Sequence, residues 1–323
     1  MSGSAVEKLK YLPASFFGMI MGLTGFSIAV LKVDAFFSVG QLFGLAMIGL
    51  SSLLFLVLLS AYLTKVIKYT DAFWEEMKHP VKMNFVPAIS ISLILLSIAY
   101  HSVGLDAVAQ WFWTIGAILH ITLTLWVLYN WIHHDFFQIE HSNPAWFIPI
   151  VGNILVPISG VHYAPEDVSW FFFAIGIVFW PVLFAILLNR IVFHTAIAER
   201  LIPTLFIFIA PPAVGFISYV TLNGGEVDSF AKILYFFGLF TTLLMAVSVG
   251  KFVKLNFALS WWAYTFPLAA MSIASFLMGA ATSQLFYAYI GVFILSLLTI
   301  MITLFLVKTV KAVAAGKVCT ADH

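Results

Sequence analysis

The apolar positions of this chain gather into ten long blocks, at about residues 12–31, 37–63, 84–104, 108–131, 145–163, 167–189, 201–222, 229–250, 256–279 and 283–307, with short polar junctions between them. A helix needs roughly 20 apolar residues to cross a bilayer, so the pattern predicts ten transmembrane helices and leaves little chain for a soluble domain. Proline divides these helices into two kinds. Of the twelve prolines, Pro13, Pro87, Pro149, Pro157, Pro203, Pro211, Pro212 and Pro267 fall in odd-numbered blocks, and only Pro181 interrupts an even one. Proline removes a backbone donor and bends a helix, and in lipid the carbonyl it frees must find a partner in protein or beside a water-lined cavity. The odd helices are therefore expected to be kinked and to face an interior, the even ones to face lipid.

The prolines recur along the chain so that each period holds one bent and one straight helix. This predicts an all-α integral membrane fold in which five helical hairpins surround a central pore with the bent odd helices inside. No sequence identity between the periods is evident, and membrane helices tolerate proline in general, so both readings stand at this level. Residues 1–323 are expected to form a single transmembrane domain, with 309–323 a short cytoplasmic tail.

Composition agrees with the pattern: 63% of residues are hydrophobic, 9% are charged, and the mean hydropathy is +1.06, far outside the soluble range. Thirteen of the fifteen basic residues lie on the side of the N-terminus, with only Lys32 and Lys232 opposite. By the positive-inside rule both termini are expected in the cytoplasm, which also requires an even number of spans. The first block contains Pro13 and has no A-x-A exit, which argues against a cleaved signal peptide. Cys319 is the single cysteine, so neither an intramolecular disulfide nor a cysteine-based metal cluster is available.

Candidate chemistry is sparse. No Asp, Glu, Lys or Arg lies within an odd block, whereas proton- or sodium-coupled carriers usually bury an ionisable group near the midplane. His120, in an even block, and His101, near the end of the third, are expected to be packed or interfacial. Asp228 and Lys232, four residues apart, are expected to form a helix ion pair. His133, His134 and His141 cluster with Asp135 and Glu140, but their spacing matches no standard zinc site. Gly224 and Gly225 lack a phosphate-cradling continuation. Residues 70–83, with Trp74, Glu75, Glu76, Lys78 and Lys82, read as a short amphipathic connector at the cytoplasmic interface. No catalytic, cofactor or metal site and no nucleic-acid surface is expected.

Several stretches carry a family likeness: HPVKMNF at 79–85, NPAWFIPIVGN at 143–153, APPAVGFISY at 210–219, NGGEVDSFAKILY at 223–235 and WWAYTFPLAAMS at 261–272. They resemble the bacterial tellurite-resistance and dicarboxylate transporter family, to which the plant guard-cell slow anion channels are similar. The resemblance implies a homotrimer in the bacterial inner membrane, each protomer holding its own pore for small inorganic anions, built from five hairpins with bent odd helices inside. It also implies that a phenylalanine on the ninth helix blocks the pore, and the matching residue here is Phe266. Phe16, Phe85 and Phe216, also on odd helices, are further candidates for the lining. The expected activity is gated, passive conduction of monovalent anions such as nitrate and chloride; the alternative is a secondary carrier exporting dicarboxylates or tellurite-related oxyanions. Carbonyls freed by the prolines would repel an anion unless capped by Ser or Thr or turned away. The absence of carboxylates from the odd blocks and a basic cytoplasmic rim favour anions.

Overall fold

The computed structural model describes residues 8–37, 41–316 and 318–319. Among these residues the secondary structure is helical throughout. Nine runs are long and apolar enough to cross a membrane: α1 (Ala14–Asp34), α2 (Gln41–Lys68), α3 (Lys82–His101), α4 (Asp106–His133), α6 (Glu166–Phe193), α7 (Glu199–Leu222), α8 (Ser229–Val247), α9 (Leu259–Thr282) and α10 (Leu285–Ala314). The fifth expected helix, α5 (Pro144–Gly160), is shorter. It is broken into a 3-10 turn, an α turn, a second 3-10 turn and a second α turn. Pro144, Pro149 and Pro157 fall within it, so no stretch of it can run as a regular ladder for long. A separate short helix, Thr70–Lys78, follows α2.

The two kinds of helix differ sharply in burial. In α1 and α3 83% of the apolar window is inside the protein, in α7 and α9 78%, whereas in α2, α4, α6, α8 and α10 the share is 28–33%. Large apolar side chains such as Leu42, Trp111, Phe193, Val247 and Ile300 stand exposed on the even helices. In water that surface would be a liability, and in lipid it is the ordinary outer face of a membrane protein. Each even helix packs on the odd helix before it, and the odd helices touch one another in the order α1, α3, α5, α7, α9 and back to α1.

The odd helices share a local design set by their prolines. Each opens in 3-10 geometry: Ala14–Phe16, Lys82–Phe85, Pro144–Trp146, Glu199–Ile209 and Leu259–Tyr264. Several carbonyls at these openings and breaks accept from side chains. Ser90 donates to the Pro87 carbonyl at 2.8 Å and Thr124, from α4, to that of Pro149 at 2.6 Å. Asn153 donates to Ile150 at 2.7 Å, Thr204 to Leu201 at 2.5 Å and Thr265 to Trp262 at 2.7 Å. Pro181 sits inside the continuous helix α6. Its position on an outer helix leaves the ring of inner helices unaffected.

Close packing between the two layers relies on one glycine in each even helix. A Cβ at Gly44 would meet Leu31 of α1 at 2.6 Å, at Gly116 Leu93 of α3 at 3.0 Å, and at Gly176 Ile154 of α5 at 2.3 Å. At Gly238 it would meet Met271 of α9 at 3.2 Å and the Ala213 backbone of α7 at 3.4 Å, and at Gly291 Phe276 of α9 at 2.9 Å. All five follow Phe or Ile: Phe43, Ile115, Ile175, Phe237 and Ile290. The periods therefore do share a sequence mark, a two-residue one too short to stand out against so apolar a background.

Asp228 corrects one expectation. Its carboxylate accepts from the Ala231 amide at 2.9 Å and from the Tyr219 hydroxyl at 2.7 Å, capping α8 and tying it to α7. Among the described residues the ion pairs are Lys65 with Glu76 and His101 with Asp106, so an Asp228 pair with Lys232 is not formed; the orphan amides of the helix start are the better partners.

The layer contact predicts a contrast between two glycines. Gly176→Ala should lower the thermal midpoint in detergent by the equivalent of about 1–3 kcal/mol, the usual cost of overpacking, because the Ile154 backbone nitrogen also lies 3.1 Å from the added Cβ. Gly49→Ala, on the open side of α2 with nothing within 4 Å, should leave the midpoint unchanged.

Candidate functional site

The first halves of all five odd helices, with the chain just before them, enclose one cavity of about 250 Å³. Its wall is built from Pro13 to Met21 on the α1 side, Val81 to Ile91 for α3, Phe147 to Leu155 for α5, Arg200 to Val214 for α7 and Ala258 to Pro267 for α9. The prolines explain why these segments diverge enough to leave space: Pro13, Pro211 and Pro267 are themselves in the wall, at points where the helix cannot be regular. Several carbonyls of these segments, those of Pro87, Pro149, Ile150, Leu201 and Trp262, accept from Ser, Thr or Asn side chains.

The charged lining is confined to one end. His79, Lys82 and Arg200 surround the mouth, together with Glu76 from the short helix Thr70–Lys78. The lining beyond them is uncharged, ending at Met21, Ile91, Leu155, Val214, Phe266 and Pro267. Glu76 does not behave as a residue of a solvated connector. It is 4% exposed, and one carboxylate oxygen accepts from Lys65 at 2.6 Å and from the Tyr62 hydroxyl at 3.0 Å, while the other accepts from the Ala14 amide at 2.7 Å. Lys65 also donates to the Leu12 carbonyl at 2.9 Å. The pair thus fastens the start of α1 to α2 and to the short helix. The expected short helix is present at Thr70–Lys78, but Glu76, His79, Val81 and Lys82 of residues 70–83 lie in the cavity wall, so the expectation of a plain connector is corrected. The inward turn of Glu76 was invisible because its sequence neighbours, Glu75 and Lys78, are exposed.

Of the phenylalanines, Phe85, Phe147 and Phe266 line the cavity; Phe147 was not among the expected lining residues. Phe266 precedes Pro267 at the start of the α-helical part of α9, and its ring edge would lie 3.3 Å from a Cβ on Gly25 of α1. One turn earlier on α1, Gly22 gives room to the Thr265 hydroxyl in the same way. Phe16 and Phe216 are buried, and neither is in the wall of the cavity. Phe216 turns instead against the Tyr235 ring of α8, 5.4 Å between centroids, because on α7 its position faces the outer layer.

The remaining polar groups brace the scaffold. His120 is fully buried, contacts Ser90 at 2.9 Å and fills the space left by Gly152 at the break in α5, where a Cβ would come within 2.7 Å of the ring. His101 meets Asp106 at 2.7 Å and the Tyr163 hydroxyl at 3.0 Å and stacks on His162 at 4.2 Å, joining α3, α4 and the end of α5. In the loop after α4, His141 accepts from the Gln138 amide at 3.1 Å and His133 contacts the Tyr129 carbonyl at 2.9 Å. Among the described residues no group of three His, Cys, Asp or Glu is placed to hold a metal.

His79 is a mouth residue that spacing did not reveal. Its Nδ1 accepts from the amides of Val81 and Lys82 at 3.1 and 3.2 Å, so the imidazole caps the 3-10 opening of α3 only while that nitrogen is unprotonated. Burial first, then the charges of Lys82, His141 and Arg200, hold its pKa below the ordinary histidine value, against the opposing effect of a hydrogen bond to its own backbone. An unfolded histidine titrates near 6.5. Below that pH the unfolded chain takes up the proton more readily, so stability falls as the pH drops through about 6.5 and the loss levels off below the folded pKa. His79→Asn, which keeps an acceptor and cannot titrate, should therefore narrow the drop in thermal midpoint between pH 7.5 and pH 5.5; an unchanged drop would show that the cap does not titrate.

Comparison with known proteins points the same way as this geometry. Residues 11–310 match the family described as voltage-dependent anion channel, SLAC1. The chain is 26% identical to an uncharacterized transporter of Methanocaldococcus jannaschii, across 98% of this chain and 97% of that protein. It is 28% identical to the S-type anion channel SLAH2 of Arabidopsis thaliana across 81% of this chain, which takes in 52% of the plant protein's length. It is 26% identical to the tellurite resistance protein TehA homolog of Haemophilus influenzae, across 81% and 79% of the two chains. These relatives are channels and transporters rather than enzymes. With a family match that runs through nearly the whole sequence, and a multi-pass helical body enclosing a cavity with cations at its mouth, the chain belongs to the SLAC1 family of voltage-dependent anion channels.

Proposed function

We propose that this protein is a gated, passive anion channel whose pore runs along the ring of odd helices and is closed by Phe266. The observation that carries this reading is the layout of the cavity: cations at the mouth, an uncharged interior, and Phe266 among the deepest lining residues. An anion is drawn to the mouth by Lys82 and Arg200 and then meets a narrow apolar passage, where an aromatic ring excludes water and dehydration costs several kcal/mol. With no fixed cation in the interior, binding is weak, which suits conduction. Preference follows dehydration cost, with nitrate ahead of chloride. Phe85 and Phe147 add further rings to the wall.

In this reading α5 is a tenth span. Seven of its residues are 3-10, three and four in its two turns, and ten are α-helical. At about 2.0 and 1.5 Å per residue they reach about 29 Å, close to the apolar thickness of a bilayer. Ten spans as five hairpins put both termini in the cytoplasm, the cavity mouth on the cytoplasmic side, and the protein in a bacterial inner membrane as a homotrimer with one pore per protomer. The second reading, a carrier for dicarboxylates or tellurite-related oxyanions, draws on the name of the Haemophilus relative. The charge-free deep lining favours the channel, since a coupled carrier needs a group that changes charge in the cycle.

Topology is testable through the single cysteine. In a Cys319→Ser background, cysteines placed at Asp106 and Glu166 should react with an impermeant thiol reagent added to intact cells, and those at Lys68 and Lys251 should be protected; the reverse pattern overturns the orientation.

Conduction is the direct test of the function. Phe266→Ala should raise anion conductance manyfold over the parent in planar bilayers with asymmetric salt, while Phe236→Ala, 47% exposed on α8, should leave it near baseline. Equal currents from Phe266→Ala and the parent, in folded protein, would remove the gate. Net anion accumulation driven by a pH gradient at equal anion concentrations would replace the channel with the carrier.

A further inference from the structure

Among the described residues Glu76 is the single carboxylate in the lining of a cavity whose cationic members are Lys82 and Arg200. A bare carboxylate there would repel the ions that the mouth otherwise attracts. Lys65 stands behind it on α2, outside the wall. Its ammonium is 2.6 Å from the carboxylate, both side chains are 4% exposed, and its remaining contacts are the Leu12 carbonyl at 2.9 Å and the Tyr62 ring at 5.4 Å. Water screens such a pair poorly, so each member's charge is felt in the cavity unless the other cancels it.

We propose that Lys65 is a selectivity-setting residue: by neutralising Glu76 from behind the wall, it keeps the cavity mouth net cationic and so sets the preference for anions over cations. This rests on the reading of the cavity as an anion entrance. The role belongs to the charge of Lys65 rather than to its contact with an ion, since it does not line the cavity. It goes beyond fastening α1, because a purely mechanical clamp would not care which sign of ion approaches.

The consequence is a set of three variants with opposite signs. Lys65→Met leaves the carboxylate uncompensated, Glu76→Gln leaves the ammonium uncompensated, and Lys65→Met with Glu76→Gln removes both charges and restores the balance. A probe that works in the closed protein reads the potential directly. Ser15 lines the cavity beside Ala14, whose amide holds Glu76, so Ser15→Cys in a Cys319→Ser background places a thiol at the mouth. The quantity measured is the ratio of its reaction rates with the anionic sulfonatoethyl and the cationic trimethylammonioethyl methanethiosulfonate.

Lys65→Met should lower that ratio by about tenfold, Glu76→Gln should raise it by a similar factor, and the double variant should return it to within about twofold of the parent. All the differences should shrink in about 1 M salt. If Lys65→Met does not fold, Glu76→Gln and the double variant carry the same test. Ratios that stay within about twofold of the parent in Glu76→Gln, or a double variant displaced as far as a single one, overturn the proposal. In the Phe266→Ala channel, Lys65→Met should also move the reversal potential toward that of the cation. Because thiol reactivity needs no open pore, silence of Phe266→Ala together with the expected rate ratios would remove the gate and leave the Lys65 assignment standing. Conduction with unchanged ratios would do the opposite.

Discussion

Everything in this molecule follows from one constraint: a backbone that is broken inside a membrane must have its polar groups satisfied by the protein itself. The odd helices are broken by proline and by 3-10 geometry, so they cannot face lipid. Carbonyls at their openings and breaks accept from Ser90, Thr124, Asn153, Thr204 and Thr265, one of which comes from an outer helix. The five unbroken helices carry the lipid-facing surface instead. Burial differs more than twofold between the two groups, which is the energetic cost of the breaks expressed as architecture.

The same breaks generate the site. A regular ring of five helices packed as tightly as the outer layer would leave no room, whereas helices that start in 3-10 form and turn at proline diverge at one end. The cavity sits at that end. Its apolar interior and its cationic mouth are separate in origin: the interior is what remains when helix faces built to touch one another are spread, while the mouth is assembled from the polar starts of α3 and α7 and the short helix before α3. Phe266 belongs to the interior: Pro267 follows it at the bend, and Gly25 opposite it leaves room for the ring.

The ion pair of Lys65 and Glu76 links stability to the proposed function. A buried pair is strongly destabilising to break and need not stabilise the fold more than an apolar replacement would. Here it also clamps Leu12 and Ala14, so the position of the first inner helix and the charge of the cavity mouth depend on the same three atoms.

Much of the architecture was legible in the linear pattern. Block length marked the nine helices long and apolar enough to cross, and proline position told the inner from the outer ones, since each of these properties is local to a segment and read directly by the bilayer. The likeness of the WWAYTFPLAAMS stretch singled out Phe266. What tertiary structure alone decided is which side of each helix meets which neighbour. That α5 would break into four short turns, that Phe216 would turn toward Tyr235 and away from the cavity, that Asp228 would cap a helix rather than pair with Lys232, and that Glu76 would swing inward to Lys65 all depend on rotation about helix axes and on partners tens of residues away. In a chain with apolar residues on every face of its helices, periodicity carries no record of that rotation, and only the packed ring of helices supplies it.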